Sequence, residues 1–234
     1  ACVYCADPVI KGRLCRMRDP AEIVMELHHL LARGIDRFHT CDSEFNLPIA
    51  HAEAVCEAIV DAGLGGRMTW YAYATPAAFT PKLADLMRRA GCVGINFGAD
   101  SGSDAMLAAL GRDFDTTCLA ETARICRDCG IVTMFDILLG GPGETRKSLA
   151  ETLDLMQRIE PDRVGISLGV RVYPGTPLAQ QLDKSDRAGL VGDAAPPGLQ
   201  FYISPALGDD PELLIKLLVG ADPRFVFPGG ADDT

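Results

Sequence analysis

Basic charge is scarce in this chain: 22 lysines and arginines stand against 32 aspartates and glutamates, a formal charge of −10. Such a balance repels phosphate backbones and leaves no basic stripe, so neither nucleic acid nor an anionic membrane surface is an expected partner. Long apolar runs are also missing. None reaches the roughly 20 residues of a membrane span, and the first residues lack the charged-then-apolar order of a secretory leader, so a cytoplasmic location is expected. No repeat exceeds a simple strand and helix rhythm. His28, His29, His39 and His51 have no metal-ligand spacing.

Cysteine, in contrast, is plentiful. Nine is an odd number in a chain of 234 residues, too long to need staples, which favours reduced thiols or metal ligation over a disulfide framework. Cys41, Cys56, Cys92 and Cys118 sit among apolar residues and read as small buried hydrophobes. Two Cys-x-x-Cys pairs remain. Cys126 and Cys129 fall in the last turn of an expected helix, where the dipole opposes a thiolate, so packing is their reading. Cys2 and Cys5 lie on a loop with Lys11, Arg13, Arg16 and Arg18 nearby, a positive setting that favours thiolates. Pro8 and Gly12 follow this pair. No helix is expected to start there, which argues against a dithiol oxidoreductase. A zinc module joining Cys2 and Cys5 to Cys126 and Cys129 stays open as an alternative.

The rest of the chain alternates helical patterns with short β-rich runs. Asp19-Pro20 and Thr80-Pro81 open helices, each stopped by a glycine, Gly34 or Gly91. Further helices are expected at about 49–62, 103–110, 116–129, 144–159 and 211–220, with strands at 36–42, 67–73, 92–98, 131–140 and 163–173. Strands separated by helices of this length imply right-handed crossovers and a parallel sheet. Polar and glycine-rich residues gather after the strands ("DSEFN", "GADSGS", "GGPGET", "RVYPGTP"), as in a barrel with its site on one face. Only five or six units fit, so the expected fold is a partial, open (β/α)6-type TIM barrel over 1–184. Residues 185–197 read as a loop, and 185–234 as a C-terminal extension with one helix.

Each loop offers ligand chemistry beside a plainer structural reading. Gly140, Gly141, Pro142 and Gly143 let the backbone approach a flat ligand, or simply turn the chain into a helix whose first turn holds Glu144. A P-loop is excluded because no Gly-Lys-Ser/Thr follows. Asp100 and Ser101 suit ribose hydroxyls, although Ser103 or Asp104 there also caps a helix. Asp42, Ser43 and Glu44 suit an ammonium or their own loop. Arg171 suits a carboxylate, of a ligand or of the protein.

At this point the residues resemble the radical S-adenosylmethionine enzymes, whose hallmark is Cys-x3-Cys-x-aromatic-Cys after the first barrel strand. Cys2-Val3-Tyr4-Cys5 matches its last four positions, and "DSEFN", Trp70 with Pro76, "DILLGGPGET" and "VYPGTPLA" match in order over about 2–182. Asp100 stands where the family usually has Glu. The subgroup resembled often carries an N-terminal cobalamin-binding domain. The resemblance implies a third cysteine three residues ahead of Ala1, with the first strand upstream as well, and a 4Fe-4S cluster held in part by Cys2 and Cys5. It implies S-adenosylmethionine with Tyr4 and the 140–143 turn at adenine, Asp100 and Ser101 at ribose, Asp42 to Glu44 at the amino group and Arg171 at the carboxylate. The implied chemistry is reductive cleavage to a 5′-deoxyadenosyl radical that takes hydrogen from a small-molecule or peptide substrate, in this subgroup often for methyl transfer. An electron donor such as flavodoxin or ferredoxin is implied too.

Overall fold

The computed structural model describes residues 2–182, 187–192 and 198–227. In chain order the elements are α1 (Asp7–Ile10), α2 (Pro20–Leu31), β1 (Arg37–His39), α3 (Ile49–Asp61), β2 (Thr69–Ala74), α4 (Pro81–Arg89), β3 (Cys92–Asp100), α5 (Asp104–Ala109) and α6 (Thr116–Cys129). They continue with β4 (Val132–Leu139), α7 (Arg146–Ile159), β5 (Arg163–Leu168), β6 (Val170–Arg171), α8 (Pro177–Leu182), β7 (Leu190–Gly192), β8 (Gln200–Tyr202), α9 (Pro211–Val219) and β9 (Phe225–Val226). The six-stranded sheet runs β1-β2-β3-β4-β5-β9, and β6-β8-β7 form a separate three-stranded sheet. The open parallel α/β arrangement expected of a partial barrel is therefore present.

Local chemistry explains the helix starts. Asp19 accepts the Ala21 N–H, Thr80 the Leu83 N–H and Asp210 the Leu213 N–H, each ahead of a first-turn proline that lacks an N–H to satisfy. Gly91, at φ 94°, turns the chain from α4 into β3, and a Cβ there would meet the carbonyl oxygens of Gly65 and Met68 at 2.7 Å. Only glycine fits.

Four expectations need correction. The run 163–173 is not one strand: Gly169 takes φ 88°, β5 ends before it, and Val170–Arg171 pairs antiparallel with β8 instead. The C-terminal stretch is more than a tail with one helix, since β9 pairs parallel with β5 as the sixth strand. The loop reading of 185–197 meets strand β7 at 190–192, while 185–186 and 193–197 lie outside the described residues. A one-turn helix, α1, does start after the first cysteine pair, although both cysteines precede it.

Contact density divides the chain into two compact units: one holds the residues up to Leu14, Ala99–Thr116 and those from Asp136 on, the other Cys15–Gly98 and Thr117–Phe135. In the second unit β2 alternates strictly, with Trp70, Ala72 and Ala74 buried and Thr69, Tyr71 and Tyr73 exposed. Its core includes Val55 and Ile59 of α3, Leu83 and Met87 of α4, and the T-shaped ring series Phe79, Phe97, Phe135 at centroid spacings of 5.0 and 5.5 Å. Each such side chain contributes roughly 1.5–3 kcal/mol by burial. Polar groups inside it are paired where the chain turns: Trp70 Nε1 donates to Ala90 O, and the Asn46 amide both donates to Thr75 O and accepts from Thr75 N–H. Cys56 and Cys92 are buried as expected, but Cys41 is exposed, because β1 ends at His39 and leaves it in the following loop.

In the first unit Val170, Leu178, Leu182 and Tyr202 form a core between β6, β8 and α8, with Val3 and Tyr4 packed against it. Gly102 lies so close to α7 that a Cβ would meet Thr152 Cα at 2.7 Å and Leu155 Cβ at 2.9 Å. The loop after β3 is thereby pressed onto that helix. No described helix is long and apolar enough to cross a membrane.

Candidate functional site

The first unit gathers most of the residues singled out from the sequence. Cys2 to Cys5 forms a tight turn, closed by Cys5 N–H donating to Cys2 O at 3.3 Å, so the two Cα atoms lie within roughly 7 Å of each other. Val3 at its apex is held on both sides: its N–H donates to Leu110 O at 3.0 Å, and its carbonyl accepts from Leu178 N–H at 2.9 Å. The turn is thus tied to the chain after α5 and to the start of α8.

Beneath the turn lies a buried polar cluster. Asp100, at the end of β3 and 5% exposed, takes φ 59°, a left-handed conformation that costs a non-glycine residue energy. Its Oδ2 accepts the Tyr4 hydroxyl at 2.6 Å and stands 3.4 Å from Arg112 Nε. Arg112 Nη1 in turn donates to Cys2 Sγ at 2.6 Å, and its guanidinium carbon lies 4.7 Å from the Phe114 ring centroid. Burial pushes the Cys2 thiol up; the Arg112 charge opposes this and Asp100 reinforces it. Burial likewise raises Asp100 against the pull of Arg112, and raises Tyr4 with help from Asp100. Burial works against the Arg112 cation, yet Asp100, Cys2 and Tyr4 together hold it charged.

The cation at the thiols is therefore Arg112, not the nearby basic stretch. Lys11 pairs with Asp7 and Arg18 with Glu26, while Arg13 and Arg16 are exposed. Sequence reading missed Arg112 because it lies 110 residues from Cys2 and matches no motif.

The 140–143 turn follows β4. Gly140 and Gly141 are buried, Pro142 is half-buried and Gly143 is exposed. Glu144 does not sit in the first turn of α7. That helix begins at Arg146 with a capping box between Thr145 and Ser148, and Glu144 folds back so that its Oε2 accepts the Gly140 N–H. Ser204 Oγ donates to Glu144 O and Ser204 N–H to Gly140 O, which closes the loop from the other side. With 1% exposure, burial lifts the Glu144 carboxyl to about 7, against the Gly140 and Gly141 amides.

Ser101 is turned inward, its hydroxyl sharing a hydrogen bond with Thr152 and accepting from Ser103 N–H, while Ser103 Oγ reaches Glu151. Arg171 is exposed and lies over the Tyr173 ring at 4.7 Å. It forms no ion pair among the described residues. Asp42, Ser43 and Glu44 lie beyond the end of β1, as expected, in the other unit, where Phe45 N–H donates to Tyr73 O and anchors their loop.

Soft thiolates suit iron-sulfur ligation, and Cys2 and Cys5 bring two free thiols to one turn. A cluster with three protein ligands needs one more sulfur. Among the described residues no group of three or more His, Cys, Asp or Glu side chains stands where it can hold a metal ion. The zinc module built from Cys2, Cys5, Cys126 and Cys129 therefore has no support: Cys126 is buried in α6.

A model of the radical SAM superfamily matches residues 1–156. The chain belongs to the radical SAM superfamily. Among its relatives is the tryptophan 2-C-methyltransferase of Streptomyces laurentii, 35% identical over 193 residues, covering 77% of this chain and 32% of the relative. A solved structure of the radical S-adenosylmethionine methyltransferase TsrM from Kitasatospora setae, with cobalamin and a 4Fe-4S cluster bound, superposes with a TM-score of 0.85 at 28% identity. It covers 97% of this radical SAM chain and 52% of TsrM. The cobalamin-dependent enzyme OxsB shares the fold, with a TM-score of 0.64 at 15% identity, covering 80% of this chain and 34% of OxsB. The chain thus spans about a third of the curated relative and about half of the solved TsrM chain.

Proposed function

We propose that this chain is the catalytic core of a cobalamin-dependent radical S-adenosylmethionine methyltransferase acting on a small molecule. The observation that carries the proposal is the Cys2–Cys5 turn, whose apex is pinned on both sides and whose Cys2 sulfur accepts a hydrogen bond from Arg112, itself beside the buried Asp100 that takes the Tyr4 hydroxyl. When bound, the cluster and S-adenosylmethionine supply a one-electron reductant beside an activated sulfonium, and cobalamin supplies a methyl carrier.

The chain's own part is binding and orientation. Cys2 and Cys5 would hold the cluster as thiolates, and Arg112 hydrogen-bonds the half-buried Cys2 sulfur, a contact that would orient that ligand. Tyr4, fixed by Asp100, offers its ring beside the turn. The 140–143 backbone, kept in shape by Glu144 and Ser204, offers edge contacts to adenine, and Asp100 stands for ribose, with Ser101, turned inward onto Thr152, shaping the loop beside it. Asp42 to Glu44 are assigned to the amino group and Arg171, exposed and free of any ion pair among the described residues, to the carboxylate. No residue is assigned to cobalamin. A low-potential protein such as a flavodoxin or ferredoxin is the proposed electron donor.

The test is methyl transfer. The complete gene product, reconstituted anaerobically and given reductant, cobalamin and deuteromethyl S-adenosylmethionine, is expected to place a labelled methyl group on a small-molecule acceptor, read by mass spectrometry. A reconstituted protein that neither consumes S-adenosylmethionine nor binds it contradicts the proposal.

A further inference from the structure

Among the described residues two carboxyls are buried, Asp100 and Glu144, and they differ in what surrounds them. Asp100 stands beside the Arg112 cation. Glu144, 1% exposed, has only backbone: its Oε2 accepts the Gly140 N–H, while its Oε1 is buried with no hydrogen-bond partner among the described residues.

The turn that Glu144 holds is packed in apolar side chains. A Cβ added at Gly141 would meet Met106, Val170 and Leu110 at 3.4 to 3.6 Å, and one at Gly140 would meet Ile203 at 3.4 Å and Leu168 at 3.5 Å. The charged groups on the elements around it are Asp104 of α5, Arg112 after it, Asp136 of β4, Arg146 and Lys147 of α7, Arg163 of β5 and Arg171 of β6. The 200–208 stretch that carries Ser204 has no charged residue, and Tyr202 is its titratable group. None of these moves the Glu144 carboxyl, which responds to burial and, in the opposite sense, to the Gly140 and Gly141 amides. A carboxylate with a bare oxygen in such a place is poorly solvated, so the neutral acid competes with it near neutral pH.

We infer that Glu144 makes the binding of adenosyl ligands proton-linked: it holds the 140–143 turn as a neutral acid while the base lies on that turn, and its ionisation weakens the ligand's hold. The inference rests on the proposed function, which puts adenine on this backbone, and adds a regulation to that site. Glu144 is a positioning residue, acting through the Gly140 and Gly141 amides. Pro142 is half-buried and Gly143 exposed, so the open side of the turn is where water comes closest to Glu144. A flat base lying there removes that water, and an adenine nitrogen that accepts the Gly141 N–H takes a donor away from the carboxylate. Both changes disfavour the charged form. The complex therefore takes up a proton from the buffer as it forms. Affinity is full below the carboxyl's ligand-free value of about 7 and falls as pH rises above it.

The test is calorimetric binding of S-adenosylhomocysteine to the reconstituted complete gene product. Glu144→Gln keeps an acceptor for the Gly140 N–H and cannot ionise. Relative to this variant the wild type should bind equally at pH 6 and about tenfold more weakly at pH 9, tenfold being the equivalent of one pH unit of displaced protonation. The ligand's own amino group titrates alike with both proteins and cancels in the ratio. A variant that binds better than wild type at high pH is a result that damage to the fold cannot produce. At pH 7.5 the wild type should also take up about half a proton, read from the difference in binding heat between phosphate and Tris buffers, a measurement that needs no variant. No proton uptake, or a ratio constant with pH, overturns the inference and leaves the proposed function standing, because the ligand still binds. Absence of S-adenosylhomocysteine binding at every pH removes the adenine site and the inference with it.

Discussion

Replacing Arg112 by leucine tests the buried cluster beneath the cysteine turn. The Arg112 and Asp100 side chains are 7% and 8% exposed, so deleting the cation strands a carboxylate that water cannot reach. Breaking a buried pair from one side costs about 3–5 kcal/mol. Here Asp100 keeps the Tyr4 hydroxyl and can take up a proton, which places the expected cost of Arg112→Leu at about 3 kcal/mol at pH 7, the low end of that range. The sign with pH follows. Without Arg112 the folded-state pKa of Asp100 rises further above its unfolded value, so stability is kept at low pH and lost as pH rises through that pKa. The variant should approach wild type near pH 4. Arg112→Leu combined with Asp100→Asn removes both charges, and its cost should fall short of the sum of the single changes by about 2 kcal/mol. The assay is urea unfolding of the metal-free protein, followed by circular dichroism at pH 5 and pH 7. Strict additivity, or a single-variant cost below about 1 kcal/mol, refutes the reasoning.

Glu144 should mark the pH profile of the whole unit. Its carboxyl is raised from 4.5 to about 7 in the folded state, so stability falls as pH rises from 4.5 to 7, by about 3 kcal/mol in all. Glu144→Gln keeps an acceptor for the Gly140 N–H and should flatten that part of the profile in pH-dependent thermal melts. Asn46→Ala leaves the buried Thr75 N–H and C=O unpaired and should cost about 2–4 kcal/mol in urea unfolding. Changing both Cys126 and Cys129 to alanine should leave the iron content of the reconstituted protein unchanged; loss of iron would return these thiols to the metal site.

What could be read from the sequence was local. Thr80-Pro81 and Asp19-Pro20 announce helices because cap and first-turn chemistry lie within three residues, and the six residues of β2 carry their alternation openly. Gly102 and the 140–143 glycines marked the right loops, although not why Gly102 is required, which is its contact with Thr152 fifty positions away. Strands of two or three residues, such as β6 and β9, hold too few positions for a period. Their partners are chosen by tertiary packing, so the second sheet and the sixth strand were not legible. Glu144 was misplaced because acidic residues suit a first helical turn in general, whereas here the Thr145–Ser148 capping box starts the helix later. Arg112 carried no signal at all. A lone arginine in "GRDFD" becomes a partner of Cys2 only when β3 and α5 bring it back to the N-terminal turn.

The central claim is that Cys2 and Cys5 hold an iron-sulfur cluster, and iron and sulfide analysis with electron paramagnetic resonance tests it most directly. The complete gene product, reconstituted anaerobically, should contain about four irons and four sulfides, absorb as a brown protein, and give on reduction a 4Fe-4S signal that S-adenosylmethionine perturbs. Cys2→Ala and Cys5→Ala should each lose that signal. A colourless protein that takes up zinc alone, or a cluster that survives both substitutions, contradicts the account.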